Sequence, residues 1–265
     1  MKRSGSLLCV GLDPEFSKLP KAVEHDQFAF NKAIIDATYD VVSAYKPNAA
    51  FYEARGAEGI TALKQTCDYL KANYPDIPVI FDAKRGDIGN TNTGYTDYVF
   101  KYLQADAVTV APYMGSESLN NFLECRDKGI IVLCRTSNPG SGEFQELDVR
   151  GEPLYKYVAR QVSGAWNSRG NCALVVGATY PNEIREVREI VGPHMPLLVP
   201  GIGYQGGDLA ASVKAGLGAQ QAALIISTSR VVLFAYDSAD FATAARAQAI
   251  KLRDEINNYR QETYV

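Results

Sequence analysis

Eight short apolar runs, each followed by a longer segment with helical periodicity, predict an α/β protein of the (β/α)8 TIM-barrel class. The units recur at roughly thirty residues, and a chain of 265 residues is close to the usual length of about 250 for that barrel. The runs are nearly all apolar, as parallel strands buried on both faces must be. A doubly wound sheet would give the same alternation, so the number of units decides between them. No linker, repeat or low-complexity stretch divides the sequence, and residues 1–265 are expected to form a single domain.

In chain order, Ser6–Leu12 reads as the first strand, closed by Asp13-Pro14, and Asp26–Ala44 as an amphipathic helix with Phe30, Ile34, Ala37 and Val41 on one face. Ser43–Pro47 is a weak second strand, followed by helix over Gly59–Asn73. Pro78–Ala83 is the clearest strand, with helix from Thr93 to Leu103. Ala107–Val110 with Ser116–Asp127 makes the fourth unit. Ile130–Cys134 and Leu154–Ser168 make the fifth, separated by a long Gly/Ser/Glu-rich loop. Ala173–Val176 with Pro181–Ile190, Leu197–Val199 with Gly207–Ala215, and Leu224–Ser227 with a helix from Ser238 to Tyr259 complete the eight.

Composition excludes several classes. With 46% hydrophobic and 22% charged residues the chain is of ordinary globular make-up. A formal net charge of −3 gives no general field for nucleic acid or an anionic membrane. Five scattered cysteines, never spaced C-x-x-C, suggest neither a disulfide framework nor a zinc site, and two histidines make His-based metal sites poor candidates. With no signal peptide or membrane-length apolar stretch, a soluble, cytoplasmic protein is expected.

In such a barrel, chemistry sits at the C-terminal ends of the strands. The third strand runs into Asp82-Ala83-Lys84-Arg85-Gly86-Asp87, and period-two geometry puts Ile80, Asp82 and Lys84 on one face. Two carboxylates bracketing an ammonium at the end of an apolar strand are costly to desolvate. Incidental ion pairs at a solvated strand end are the bland alternative. Lys46 and Asp13 end the two preceding strands, and four charged residues on three adjacent strands make that alternative weaker. At the other end of the chain, the glycine-rich Pro200–Asp208 loop and Ser227-Thr228-Ser229-Arg230 suit a phosphate site built from backbone amides and one guanidinium. Neither a Walker loop nor a strand-one dinucleotide fingerprint is present.

Taken together, Leu8–Pro14, Lys46-Pro47-Asn48, Phe81–Thr91, Thr136–Gly140, Pro200–Gly207 and Ser229-Arg230 resemble the orotidine 5′-monophosphate decarboxylases, in the longer-chain bacterial (type 2) branch. The resemblance implies decarboxylation of orotidine 5′-monophosphate to UMP without metal or other cofactor. It implies that Lys46, Asp82, Lys84 and Asp87 form the catalytic array, with Lys84 stabilising and then protonating the C6 carbanion. Asp13 and Thr91 would contact ribose hydroxyls, Ile88 the apolar pocket at the departing carboxylate, and Ser137 the pyrimidine. Gln205 and Arg230 would be the phosphate ligands, with Pro200 also among the substrate-binding residues. A homodimer is implied, with Asp87, Ile88 and Thr91 supplied across the interface. One departure is Ser229, where another branch of the family has glycine.

Three rivals share parts of this pattern. A magnesium-dependent phosphosugar decarboxylase or aldolase of the same superfamily would use the carboxylates on a metal. A Schiff-base aldolase would use Lys84 or Lys46 as nucleophile. A catalytically silent nucleotide-binding barrel would carry the desolvated charges at a cost in stability with no return.

Overall fold

Parallel strand pairing sets the frame. A computed structural model describes residues 4–203, 205–236 and 240–263. Its strands are β1 (Leu8–Leu12), β2 (Ala44–Pro47), β3 (Ile80–Arg85), β4 (Ala107–Val110), β5 (Gly129–Arg135), β6 (Cys172–Val176), β7 (Leu197–Pro200) and β8 (Leu224–Thr228). They stand in the spatial order β2-β1-β8-β7-β6-β5-β4-β3, all parallel. Isolated parallel bridges Tyr45–Val79 and Asn48–Asp82 join β2 to β3 and close the ring. The eight-stranded barrel expected from the sequence is therefore present.

Helices α1 (Gln27–Thr38), α2 (Gly56–Asn73), α3 (Gly89–Thr96), α4 (Gly115–Leu123), α5 (Leu154–Ser163), α6 (Pro181–Val191), α7 (Leu209–Gly216) and α8 (Phe241–Glu262) connect the strands or follow the last one. Their apolar faces join the outward side chains of the strands in one large core. Barrel closure is repeated in the helical layer. Phe30 of α1 stacks on Phe241 of α8 at 5.2 Å, and Arg246 clamps both Asp40 oxygens at 2.7 and 2.8 Å. No helix among the described residues is long and apolar enough to cross a membrane.

Several boundaries differ from the periodicity. Asp26 caps α1, accepting from the Phe28 and Ala29 amides, and the helix ends at Thr38 rather than Ala44. By Ser43 the amide already bonds Leu8 O at 2.7 Å, so strand pairing overrides the apolar match of Val41. The third helix starts at Gly89, four residues earlier than expected, and runs on as a π-helical turn over Asp97–Tyr102. Within the long loop after β5 lie a 3-10 turn (Pro139–Ser141), a short helix (Gly142–Gln145) and a two-residue hairpin pairing Asp148–Val149 with Glu152–Pro153. Tyr204 of the glycine-rich loop and Ser238, where the last helix was expected to begin, lie outside the described residues.

At the N-terminal end of the barrel, Arg188 of α6 is buried and donates to the carbonyls of Gly216, Gly192, Met195 and Ala223 at 2.7–3.0 Å. Burial depresses its pKa to about 10. One guanidinium thereby satisfies backbone oxygens leading into β7 and β8. Arg188→Leu removes these bonds and leaves buried carbonyls unpaired, so it should destabilise the fold by about 3 kcal/mol. A shift in the urea midpoint checks this; an unchanged midpoint would show that water replaces the guanidinium without cost.

Candidate active site

The site grows out of the barrel interior. Cys9, Ala44, Ile80, Ala107, Ile131, Ala173 and Leu198 pack together inside the ring as a small apolar plug, with Val175 packed on top of it. Two residues beyond such a position a strand again points inward. The next layer is therefore Gly11, Lys46, Asp82, Thr109, Leu133, Val175, Pro200 and Ser227. All but Gly11 line an open cavity of about 510 Å³, together with Asp13, Asn48, Lys84, Ser137, Gln205 and Arg230. The apolar plug is its floor and the strand C-termini its wall.

Asp82 organises this wall. Its Oδ2 accepts from Lys46 Nζ at 3.0 Å and from Asn48 Nδ2 at 3.4 Å. Its Oδ1 accepts from Lys84 Nζ at 2.7 Å and from the Thr109 hydroxyl at 2.9 Å. The side chain is only 12% exposed. Burial alone would raise its pKa, but the Lys46 and Lys84 ammoniums beside it outweigh burial and hold the carboxyl below the usual carboxylate range. For Lys46 burial works the other way, and the carboxylates of Asp82 and Asp13 keep it firmly protonated. Beneath them the buried Cys9 thiol is pushed up to about 12, which leaves it un-ionised and unreactive.

Lys84 does not arrive by simple alternation. The β3–β4 register slips between Phe81 and Arg85, and Lys84 sits at φ +48°, in the left-handed region. That conformation costs a non-glycine residue on the order of 1–2 kcal/mol. The period-two argument thus holds as far as Asp82. Beyond it, a bulge rather than the pleat aims the ammonium back at Asp82.

The opposite wall is made by loops. Ser137 Oγ donates to Gln205 Oε1 at 2.6 Å, tying the loop after β5 to the loop after β7. Gly201, at φ +104°, lies beneath this contact; a Cβ there would meet Gln205 Oε1 at 2.8 Å. Gln145 from the short helix pins the adjoining turn, accepting from the Thr136 amide and donating to its hydroxyl, both at 2.8 Å. Arg135 lies buried behind this turn, 3.8 Å over the Tyr180 ring and bonded to Ser141 and Glu146. Arg230 opens the short helix Arg230–Leu233 directly after β8 and faces the same cavity. Gly11 admits this segment: a Cβ on Gly11 would stand 2.9 Å from Ser229 Cβ.

Of the residues singled out in the sequence, Asp13, Lys46, Asp82, Lys84, Ser137, Pro200, Gln205 and Arg230 come together around one cavity. Asp87, Ile88 and Thr91 do not line it. Asp87 and Ile88 occupy the outer turn after β3, where Asn92 holds both backbone groups of Asp87 and Ile88 is 55% exposed, and Thr91 lies in the first turn of α3. Asn48, Thr109, Gln145 and Arg135 were not singled out. Thr109 was accessible to sequence reasoning, being the inward polar residue of an otherwise apolar strand. Gln145 and Arg135 act through loop contacts that no periodicity encodes. Among the described residues, no group of three or more His, Cys, Asp or Glu side chains is arranged to hold a metal ion.

The stability lent by ionised Asp82 is complete above the unfolded carboxyl pKa of about 3.9 and is lost as pH falls towards the lower folded value. Asp82→Asn removes the carboxylate that Lys46 and Lys84 share and should cost about 3 kcal/mol at neutral pH. The gap in urea midpoint between the wild type and this variant should then narrow below about pH 4. A gap that stays constant through the acid range would contradict an ionised, ion-paired Asp82.

Comparison with known proteins agrees with this geometry. Residues 6–247 match the family described as Orotidine 5'-phosphate decarboxylase / HUMPS family. The chain is 54% identical over 259 residues to an orotidine 5'-phosphate decarboxylase of Cellvibrio japonicus, covering 96% of this chain and 94% of that protein. It is 51% identical over 262 residues to one from Ralstonia nicotianae, covering 98% and 96%. The solved OMP decarboxylase of Leishmania donovani superposes with a TM-score of 0.86 at 43% identity, over 98% of this chain and 96% of that one. The UMP synthase of the same organism superposes with a TM-score of 0.88 at 46% identity, over 98% of this chain but 54% of that one. The barrel whose mouth holds the Lys46–Asp82–Lys84 array belongs to the orotidine 5'-phosphate decarboxylase family.

Proposed function

We propose that this chain, as one catalytic domain in the cytoplasm, decarboxylates orotidine 5′-monophosphate to UMP and CO2 in pyrimidine nucleotide synthesis. The observation that carries the reading is Asp82 held between two ammoniums on the strand wall of a cavity whose far rim bears Gln205 and Arg230. Phosphate binds at that rim through Arg230, Gln205 and the amides of the glycine-rich loop. The ribose lies over Asp13 and Lys46, and the pyrimidine meets Ser137.

The C6–carboxylate bond then breaks, CO2 leaves, and the electron pair stays on C6. Lys84 Nζ stabilises this developing charge and gives one proton to C6, so that UMP leaves and neutral Lys84 takes a proton back from solvent. Asp82 keeps the Lys84 ammonium aimed until then. Both Asp82 oxygens are engaged by ammoniums, which disfavours the metal-binding rival: a divalent ion would have to displace Lys46 or Lys84. No metal or organic cofactor has a role in this scheme.

The working unit in this proposal is a homodimer in which Asp87, Ile88 and Thr91 reach the partner's cavity. Their position on the outer turn and the first turn of α3 supports this, as does the exposed apolar surface on the neighbouring β3 and β4 loops, where Ile88, Tyr113 (92% exposed) and Met114 (46%) stand out of the fold.

Lys84→Ala should abolish loss of the orotate ultraviolet band while UMP still binds, and the wild-type reaction should be insensitive to EDTA. Near-normal turnover by the variant would overturn the assignment, and loss of wild-type activity in EDTA would move the chain to the metal-dependent group. For the dimer, mixing inactive Asp87→Asn and Lys84→Ala chains should restore part of the activity through heterodimers. Absence of recovery after demonstrated subunit exchange would refute the shared site.

A further inference from the structure

Thr109 lies at the junction of the array and the strained strand. It is buried in β4, flanked by apolar residues, and its hydroxyl has two partners. It donates to Asp82 Oδ1 at 2.9 Å, the same oxygen that accepts from Lys84 Nζ. It accepts from the Lys84 backbone N–H at 2.9 Å. These directions are not interchangeable. An ionised carboxylate can only accept and an amide can only donate, so the hydroxyl's one proton must go to Asp82 and a lone pair to Lys84.

The amide it receives belongs to the residue in the left-handed conformation, in the stretch where the β3–β4 ladder slips. Strain of this kind persists only where the surroundings over-determine it. Here one hydroxyl grips the backbone of Lys84 while bonding the carboxylate that grips its side chain. The lysine is thereby held at both ends through a single rigid strand, and only its stem is free.

We infer that Thr109 is a positioning residue for the reaction: its hydroxyl couples the left-handed backbone of Lys84 to the Asp82 carboxylate and so fixes the direction from which the ammonium meets the reacting carbon. This inference rests on the decarboxylase reading of the site. Thr109 acts through Lys84 and Asp82 and exchanges no proton with substrate.

The test uses Thr109→Val, which keeps the shape and loses the hydroxyl, and Thr109→Ser, which keeps the hydroxyl. Steady-state turnover of orotidine 5′-monophosphate and exchange of the Lys84 amide by NMR are measured on the intact wild-type and variant proteins. In Thr109→Val, kcat should fall about 10- to 100-fold while KM changes less than about threefold, because misplacement of the ammonium is felt in the transition state. Amide exchange at Lys84 should rise about tenfold. Thr109→Ser should restore both to within about threefold of wild type, an outcome that mere packing of the threonine methyl would not give. Wild-type kcat in Thr109→Val, a loss confined to KM, or a serine variant as impaired as the valine one would each overturn the inference. A wild type inactive on this substrate would instead refute the decarboxylase reading. The amide arm still decides then: faster exchange in the valine variant, reversed by serine, upholds the coupling, and unchanged exchange overturns it.

Discussion

Everything at the mouth of the barrel depends on the ionised carboxylate of Asp82. It sits at the boundary between an apolar plug and an open cavity, where a lone charge would be expelled or neutralised. Two ammoniums and two neutral donors make it tolerable there. The dependence is mutual: Lys46 stays protonated in its buried position because of Asp82, and the more exposed Lys84 is oriented by it. Both ammoniums bond the same carboxylate, so the array is better regarded as one unit than as separate residues.

The barrel makes such an array affordable because it fixes the donors before any ligand arrives. Lys46, Asp82 and Thr109 are corresponding inward positions on three successive strands, joined by isolated bridges between β2 and β3 and by the β3–β4 ladder up to Phe81. Electrostatic stabilisation of a developing charge is effective when the groups need no rearrangement at the moment of reaction. The far wall is built differently. Ser137, Gln205 and Arg230 stand on loops or the first turn of a short helix, braced by Arg135 and Gln145 from behind. A wall carried by strands and a wall carried by loops thus face each other across one cavity.

Some of this was legible residue by residue. The apolar strands, the helical stripes and the Asp-x-Lys-x-x-Asp spacing lie within a few residues of one another, where pleat and helix periods govern. The positions of Asp82 and Lys46 follow from Ile80 and Ala44 pointing into the ring. Alternation then fails at Lys84, because the ladder to β4 slips and the backbone turns left-handed. Helix α1 fails in the same way at its end, where pairing of Ser43 with Leu8 takes the chain into β2 before the apolar stripe is exhausted.

By itself the sequence determined the class of fold, the order of its units and which charged residues end the strands, because these rest on local periods and on the rule that barrels carry function at strand C-termini. Tertiary structure alone decided which of those charges meet. Lys46 and Asp82 are 36 residues apart, and Ser137 and Gln205 are 68 apart. Only closure of the ring brings each pair within bonding distance. It also decided that Asp87, Ile88 and Thr91 stay out of the cavity lining of their own chain, with the Asp87 backbone held by Asn92 instead.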